Sequence, residues 1–231
     1  MQSGIYSIYK PKGPTSHDII NQLRRITGIK KIGHAGTLDP QAQGVLVVGI
    51  GREATKKLGS IVKKEKEYLA EVKLGETSTT FDAEGPLSFV IPVSHVIPAE
   101  AGIHVIPTQD EIKKITKKFI GHIQQAPPQY SAVKIKGKPA YKYARQGKLV
   151  EIKPREVEIK EIKIIKYKWP ILKIKVVCGP GVYIRSLAND VGQKLKTGGY
   201  LLSLERTRVG DFKKEDSVTI EKFSQIWQNG R

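Results

Sequence analysis

Apolar residues recur along this chain at two spacings, and the spacing changes at glycines and prolines. Ile19, Leu23 and Ile26 fall on one stripe of a helix that Ser16 can cap and Gly28 can stop. Val45 to Ile50 is a continuous apolar run of strand length and reads as a buried strand. Ala54, Leu58 and Ile61 mark a second helix. Tyr68, Ala70, Val72 and Leu74 alternate with Leu69, Glu71 and Lys73, which is strand spacing with Tyr68 on the inward face. Ile112, Ile115 and Phe119 predict a helix ending at Gly121. Leu172, Ile174 and Val176 alternate with Lys173 and Lys175 in another strand. After the turn Cys178-Gly179-Pro180-Gly181 comes a helix bearing Leu187, Val191 and Leu195. Strands joined by hairpins, with helices interspersed and no strict βαβ alternation, predict an α+β fold with a largely antiparallel sheet.

Composition narrows the class. A chain of 231 residues can bury one principal core, and 39% hydrophobic with 27% charged residues describes a globular protein rather than a disordered one. The start, Met-Gln-Ser-Gly-Ile-Tyr-Ser, has no basic region followed by an apolar stretch. The longest apolar run is too short to span a bilayer, so a cytoplasmic location with no membrane contact is expected. Cys178 is the single cysteine, which fits a reducing compartment.

Charge adds a partner. The formal net charge is +18, and residues 111–175 hold 18 Lys+Arg against 5 Glu, while residues 76–110 hold five acids and no base. A positive field localised in this way attracts a polyanion, most often nucleic acid. One segment stands apart: Val90-Ile91-Pro92, Val96-Ile97-Pro98 and Val105-Ile106-Pro107 repeat a tripeptide in a stretch without lysine or arginine. Repeated prolines oppose a central strand, so 86–108 is expected to be an inserted loop.

Candidate chemistry is sparse. The five histidines are scattered, one cysteine cannot supply the usual zinc spacing, and no Walker A sequence occurs. Neither a metal nor a cofactor is expected. The stretch Gly33-His34-Ala35-Gly36-Thr37-Leu38-Asp39-Pro40-Gln41-Ala42-Gln43-Gly44 holds one carboxylate among glycines, followed at once by a proline. By spacing alone Asp39 reads as a turn aspartate or helix cap. Likewise Tyr68 reads as a core tyrosine, His34 as a turn histidine, and Arg185 as a surface residue at a helix start.

Several motifs in register carry a resemblance. Gly33 to Pro40 with Gly44-Val45-Leu46 resembles the nucleophile motif of the tRNA uridine-55 pseudouridine synthases of the bacterial TruB type. Lys10-Pro11-Lys12-Gly13-Pro14-Thr15-Ser16 resembles that family's first motif. Lys66-Glu67-Tyr68 through Leu74-Gly75 to Asp82-Ala83-Glu84-Gly85 resembles its tyrosine motif. Gly181-Val182-Tyr183-Ile184-Arg185-Ser186-Leu187 resembles its arginine motif. Pro127 to Gly147 resembles its RNA-gripping thumb, and Leu204 to Gly210 the block that closes its catalytic domain. The resemblance covers residues 4 to about 212.

The resemblance implies a pseudouridine-synthase-like catalytic domain over 1–212, with a thumb at 124–148. A short tail at 213–231 would stand where relatives carry a C-terminal RNA-binding domain of the PUA type. It implies isomerisation of uridine 55 in the T loop of tRNA, without cofactor, by a monomer gripping the T-arm and elbow. Asp39 would be the nucleophile, attacking ribose C1′ or the uracil ring, with Arg185 paired to it and Tyr68 stacked on the base as a candidate for proton abstraction. Tyr183 and Leu204 would complete the uracil pocket. His34 would fill the space left by the flipped nucleotide, and Lys10, Lys134 and Arg145 would contact RNA. The alternatives are a related synthase acting on another RNA, and a tRNA-binding folding chaperone, which would not need Asp39 or Arg185.

Overall fold

A computed structural model describes residues 3–90 and 106–229 of the chain. The fold is α+β. Nine strands form one largely antiparallel sheet in the order β1-β3-β12-β4-β11-β10-β7, with β13 on β12 and β2 on β3. In chain order the elements that position the site begin with β1 (Gly4–Lys10), α1 (Ser16–Thr27), β2 (Ile32–His34), β3 (Gln43–Ile50), α2 (Arg52–Val62) and β4 (Lys66–Leu74). Next come the hairpin β5 (Glu76–Ser78) and β6 (Leu87–Phe89), α3 (Gln109–Lys117) and β7 (Gly121–Gln125). A second hairpin, β8 (Lys134–Ile135) and β9 (Lys138–Pro139), leads into α4 (Ala140–Ala144). The chain finishes with β10 (Arg155–Lys168), β11 (Ile171–Cys178), α5 (Ile184–Lys194), β12 (Gly199–Val209), β13 (Phe212–Lys213) and α6 (Ile220–Asn229). The chain divides into two compact units. One holds the residues up to Leu69, Val177–Pro180 and those from Leu204 on; the other holds Ala70–Val176 and Gly181–Ser203.

The first unit is built on β3. Leu46, Val48 and Ile50 pack with Ile8 of β1, with Ile19, Ile20 and Leu23 of α1, and with Phe223 and Trp227 of α6. Val45 and Val47 turn to the opposite side, against Leu58 and Ile61 of α2 and Val209. Cover on both faces explains why β3 reads as an unbroken apolar run rather than an alternation. The residues expected as a short tail therefore complete this core. Phe223 is fully buried, Trp227 stacks on it at 5.6 Å, and Tyr6 meets it edge-on at 5.3 Å. Burying such a side chain stabilises by about 1.5–3 kcal/mol.

Helix α1 runs as its stripe predicts and ends at Gly28, whose φ of 74° is the left-handed cap conformation. Its cap is Thr15 rather than Ser16. The Thr15 hydroxyl accepts the Asp18 N–H while the Asp18 carboxylate accepts the Thr15 N–H, a reciprocal capping box. Helix α2 ends at Val62, and the ammonium of Lys66, the first residue of β4, donates to the carbonyls of Val62 and Lys64.

In the second unit, strand β4 alternates as read, with Ala70, Val72 and Leu74 buried. Leu172, Ile174 and Val176 of β11 are buried in the same alternation, and α5 buries Ile184, Leu187 and Val191. Helix α3 stops at Lys117, earlier than expected, and Gly121 instead opens β7, pairing with Ile159 of β10. Of the segment expected as an insertion, Leu87–Phe89 pairs with Glu76–Ser78 as a hairpin, leaving Phe89 79% exposed. The middle of that segment, 91–105, lies outside the described residues. Among the described residues no helix is long and apolar enough to cross a membrane.

Candidate active site

Asp39 stands in the first unit, on the loop between β2 and β3, and that loop is tied to three elements. Ser16, at the start of α1, donates its hydroxyl to the Leu38 carbonyl at 3.0 Å and accepts the Leu38 N–H at 2.9 Å. The hydroxyl expected to cap α1 thus joins the helix to the residue before the aspartate. Lys10, the last residue of β1, is fully buried, and its ammonium donates to the carbonyls of Pro11 at 2.9 Å, Pro40 at 3.1 Å and Ala42 at 2.6 Å. Gly13 N–H adds a bond to the Pro40 carbonyl at 2.8 Å. Lys10, expected to contact RNA, spends its donors on the loop instead.

The third tie is Arg206 of β12, which is 1% exposed. Its Nε donates to the Val45 carbonyl at 2.8 Å and its Nη2 to the Gly36 carbonyl at 3.0 Å, so one guanidinium spans both ends of the loop. Arg206 also pairs in register with Gly44, and a Cβ on Gly44 would lie 2.2 Å from the Arg206 carbonyl oxygen. Close approach of the two backbones requires glycine there. Two residues earlier on the same face of β12 lies Leu204, also buried.

Tyr68 of β4 is buried, and Arg206 on the neighbouring strand β12 is near enough to act on its hydroxyl. Burial raises its hydroxyl above the ordinary phenol value, and the charge of Arg206 pulls it back down. Asp39 acts on the same hydroxyl in the raising direction. Burial likewise pushes Lys10 down to about 8, against the attraction of Asp39 and with the repulsion of Arg206. Burial, then Arg206 and His17, lowers His34 from its ordinary value, so its ring is neutral at pH 7. Lys10, His34, Asp39, Tyr68 and Leu204 therefore belong to one unit, and Arg206 acts on three of them. Burial pushes the Cys178 thiol up to about 12, which leaves it protonated and unsuited to nucleophilic attack.

The remaining expected residues belong to the second unit. Arg185 of α5 is buried and donates from Nη1 to Asp82 Oδ2 at 3.1 Å and the Thr80 carbonyl at 3.3 Å, and from Nη2 to the Tyr130 carbonyl at 3.0 Å. Asp82 is itself braced by the Thr80 hydroxyl and the Glu84 N–H. Tyr183, just before α5, is clamped by Gln125, which accepts its N–H at 2.8 Å and donates to its carbonyl at 3.1 Å. Lys134 lies in the thumb hairpin, whose turn residues Lys136 and Gly137 have φ of 48° and 81°, the type I′ pattern. Arg145 follows α4 with its guanidinium over the Tyr141 ring at 5.4 Å. Both basic residues are exposed.

Sequence reasoning passed over Arg206, Asp82 and Ser16 as parts of the site. A signal for Arg206 existed: it shares strand parity with Leu204, which puts a charge on the inward face. Chemically, the first unit offers a carboxylate on a loop fastened by hydrogen bonds, a buried phenol, and three buried cations, Lys10, Lys66 and Arg206. Among the described residues no group of His, Cys, Asp and Glu could hold a metal ion.

Comparison with known proteins gives two family matches. Residues 24–184 match the TruB family pseudouridylate synthase N-terminal domain, and residues 185–230 match the tRNA pseudouridylate synthase B C-terminal domain. The chain is 42% identical over 232 residues to the tRNA pseudouridine synthase B of Thermobifida fusca, covering 97% of this chain and 75% of that protein. It is 43% identical over 208 residues to the one of Parabacteroides distasonis, covering 87% and 83%. Among solved structures it resembles a chain of a Cbf5-Nop10-Gar1 complex at 28% identity and a TM-score of 0.72, covering 100% of this chain and 57% of that one. A chain of an H/ACA RNP bound to a substrate RNA containing 2′-deoxyuridine matches at 25% identity and a TM-score of 0.69, covering 98% and 55%. The chain thus spans a little over half the length of those two structural relatives.

Proposed function

The chain belongs to the TruB family of pseudouridylate synthases, and from that premise we propose that it isomerises uridine to pseudouridine in tRNA, at position 55 of the T loop, with Asp39 as nucleophile. The observation that carries this reading is the loop itself: a carboxylate fastened through Leu38, Pro40 and Ala42, within the field of Lys10 and beside Tyr68. The location proposed is the cytoplasm and the state a monomer, gripping the T-arm and elbow.

In this reaction the bond between uracil N1 and ribose C1′ breaks, the base turns, and C1′ joins C5. C5 loses a proton and N1 gains one, so the composition is unchanged and no electrons leave the substrate. Covalent attack by Asp39, whose own bond to the substrate breaks again before the product leaves, divides one difficult exchange into easier steps. N1 and C5 trade places as the base turns, so one group beside C1′ can serve both. Tyr68 is assigned that part: its hydroxyl proton passes to N1, and its oxygen then takes the proton from C5, whose C–H pair restores the C5–C6 double bond. The uridine must leave its stack to reach these groups, at a cost of a few kcal/mol. A neutral His34 suits the space it vacates, because an uncharged ring stacks with a smaller desolvation penalty than a charged one. The roles of Arg185, as counter-charge to the nucleophile, and of Tyr183 and Leu204 in the uracil pocket, are supported by the family resemblance. Phosphate contacts from Lys134 and Arg145 offset the cost of flipping.

Unmodified tRNA labelled with tritium at uridine C5 tests the proposal. The parent should release tritium and form pseudouridine at one position. Asp39→Asn keeps the turn but removes the charge and the reactive oxygen; it should bind tRNA and release no tritium. Near-parent release by Asp39→Asn would overturn the mechanism, and a parent that binds tRNA but releases no tritium would favour a folding chaperone.

A further inference from the structure

We propose that Arg206 is a positioning residue for the isomerisation: from the strand beside that of Tyr68 its guanidinium holds the aspartate loop and stabilises the tyrosine while its oxygen is without a proton. This rests on the reading of Tyr68 as proton carrier.

The environment of Arg206 suits no purely structural part. The side chain is 1% exposed, so nearly all its hydration is lost on folding. Its hydrogen bonds go to the carbonyls of Val45 and Gly36, not to a carboxylate. A buried cation whose partners are neutral is costly to maintain, and an apolar side chain would fill the same space more cheaply. The Asp39 carboxylate shares this field with the Arg206 charge, and a second anion arises there only during the reaction. Tyr68, on the adjacent strand, is the neighbour able to become one, and a guanidinium already in place beside it needs little reorganisation when the charge appears. The same residue sets the geometry between nucleophile and tyrosine. Nη2 reaches Gly36, three residues before Asp39, and the Arg206 backbone abuts Gly44, five residues after it. A shift of Arg206 moves both ends of the loop relative to Tyr68.

Single-turnover pseudouridine formation on tRNA with protium or deuterium at uridine C5 tests this, in the parent, Arg206→Lys, Arg206→Gln, Tyr68→Phe and the double variant Tyr68→Phe/Arg206→Lys. Thermal melting and a tRNA-binding titration accompany each rate. Arg206→Lys keeps a cation but not the fork. It should melt as one transition, bind tRNA within about threefold of the parent, and react on the order of 10²-fold more slowly. Its deuterium effect should exceed the parent's, because the loss falls on proton removal from C5, and a merely structural fault would not move that ratio. The double variant should be no slower than Tyr68→Phe alone. A near-parent rate in Arg206→Lys, or a loss that adds to that of Tyr68→Phe without a larger isotope effect, would overturn the proposal. So would failure of both arginine variants to fold, since Arg206 would then be a brace only. The underlying reading fails separately: a Tyr68→Phe protein with near-parent turnover removes Tyr68 as proton carrier whatever the arginine variants do.

Discussion

Arg185 Nη1 and Asp82 Oδ2 lie 3.1 Å apart with both side chains nearly buried, 6% and 3% exposed. Removing Asp82 takes one anion away from a nearly buried guanidinium. Asp82→Asn, which keeps the shape and leaves the guanidinium its acceptors at Thr80 and Tyr130, should therefore lower stability by about 1.5–3 kcal/mol in urea denaturation and reduce turnover with it. A change below about 1 kcal/mol would mean that the pair behaves as an exposed one.

Gly44 and Gly13 both have φ near 110°, 110° and 113° respectively, but a Cβ at Gly13 would meet nothing within 4 Å. Gly13→Ala should cost only backbone strain, about 1–2 kcal/mol. Gly44→Ala should in addition break the β3–β12 pairing and yield little soluble protein. Similar melting temperatures for the two variants would show that the sheet yields at Arg206.

Lys10 gives stability a pH dependence whose sign is fixed. Its folded-state pKa of about 8 lies below the ordinary 10.5. Between those values the unfolded chain holds the proton and the folded chain does not, so stability rises with pH across that window, and the cost of the buried charge is fully present below pH 8. Relative to Lys10→Met, the parent should gain about 2–3 kcal/mol between pH 7 and pH 10. Urea denaturation at the two pH values measures the difference, and a gain that shrinks as pH rises would contradict the assignment.

The exposed thumb lysines should act on binding and not on chemistry. Lys134, Lys138 and Lys142 replaced together by alanine should flatten the dependence of log K on log salt by roughly 0.7–0.9 for each lost phosphate contact. Lys136 is best left in place, because its φ of 48° makes any substitution there a test of the turn as well. An unchanged salt slope with weaker binding would locate the phosphate contacts elsewhere.

Some elements could be read from sequence because local pattern and tertiary environment agree. The stripe Ile19, Leu23 and Ile26 and the stop at Gly28 describe α1 without reference to anything distant. The alternation from Tyr68 to Leu74 places Tyr68 inward as found. Strand β10 escaped notice because its apolar positions shift phase: Val157 and Ile159 are buried, whereas the partly buried Ile162 and Ile164 fall on the other parity. Helix α6 was legible only as a tail, since Phe223 and Trp227 become core residues through contacts with Ile8 and Leu23, some two hundred positions earlier.

The site divides in the same way. Sequence by itself determined which residue types stand at Asp39, Tyr68 and Arg185, and the glycines and proline that let the aspartate loop turn. It could not decide between Thr15 and Ser16 as the cap of α1, because both carry a hydroxyl at the helix start. Tertiary structure decided it by offering Ser16 a carbonyl and an amide at Leu38. Nor could it distinguish Lys10 as an RNA contact from Lys10 as a loop anchor, since an ammonium serves either end. Three carbonyls converging on one buried point settled that choice, and the burial of Arg206 against Gly36 and Val45 was settled alongside it. Spacing along the chain encodes which face a residue takes; which distant carbonyls wait on that face depends on the packing of strands from both ends of the chain.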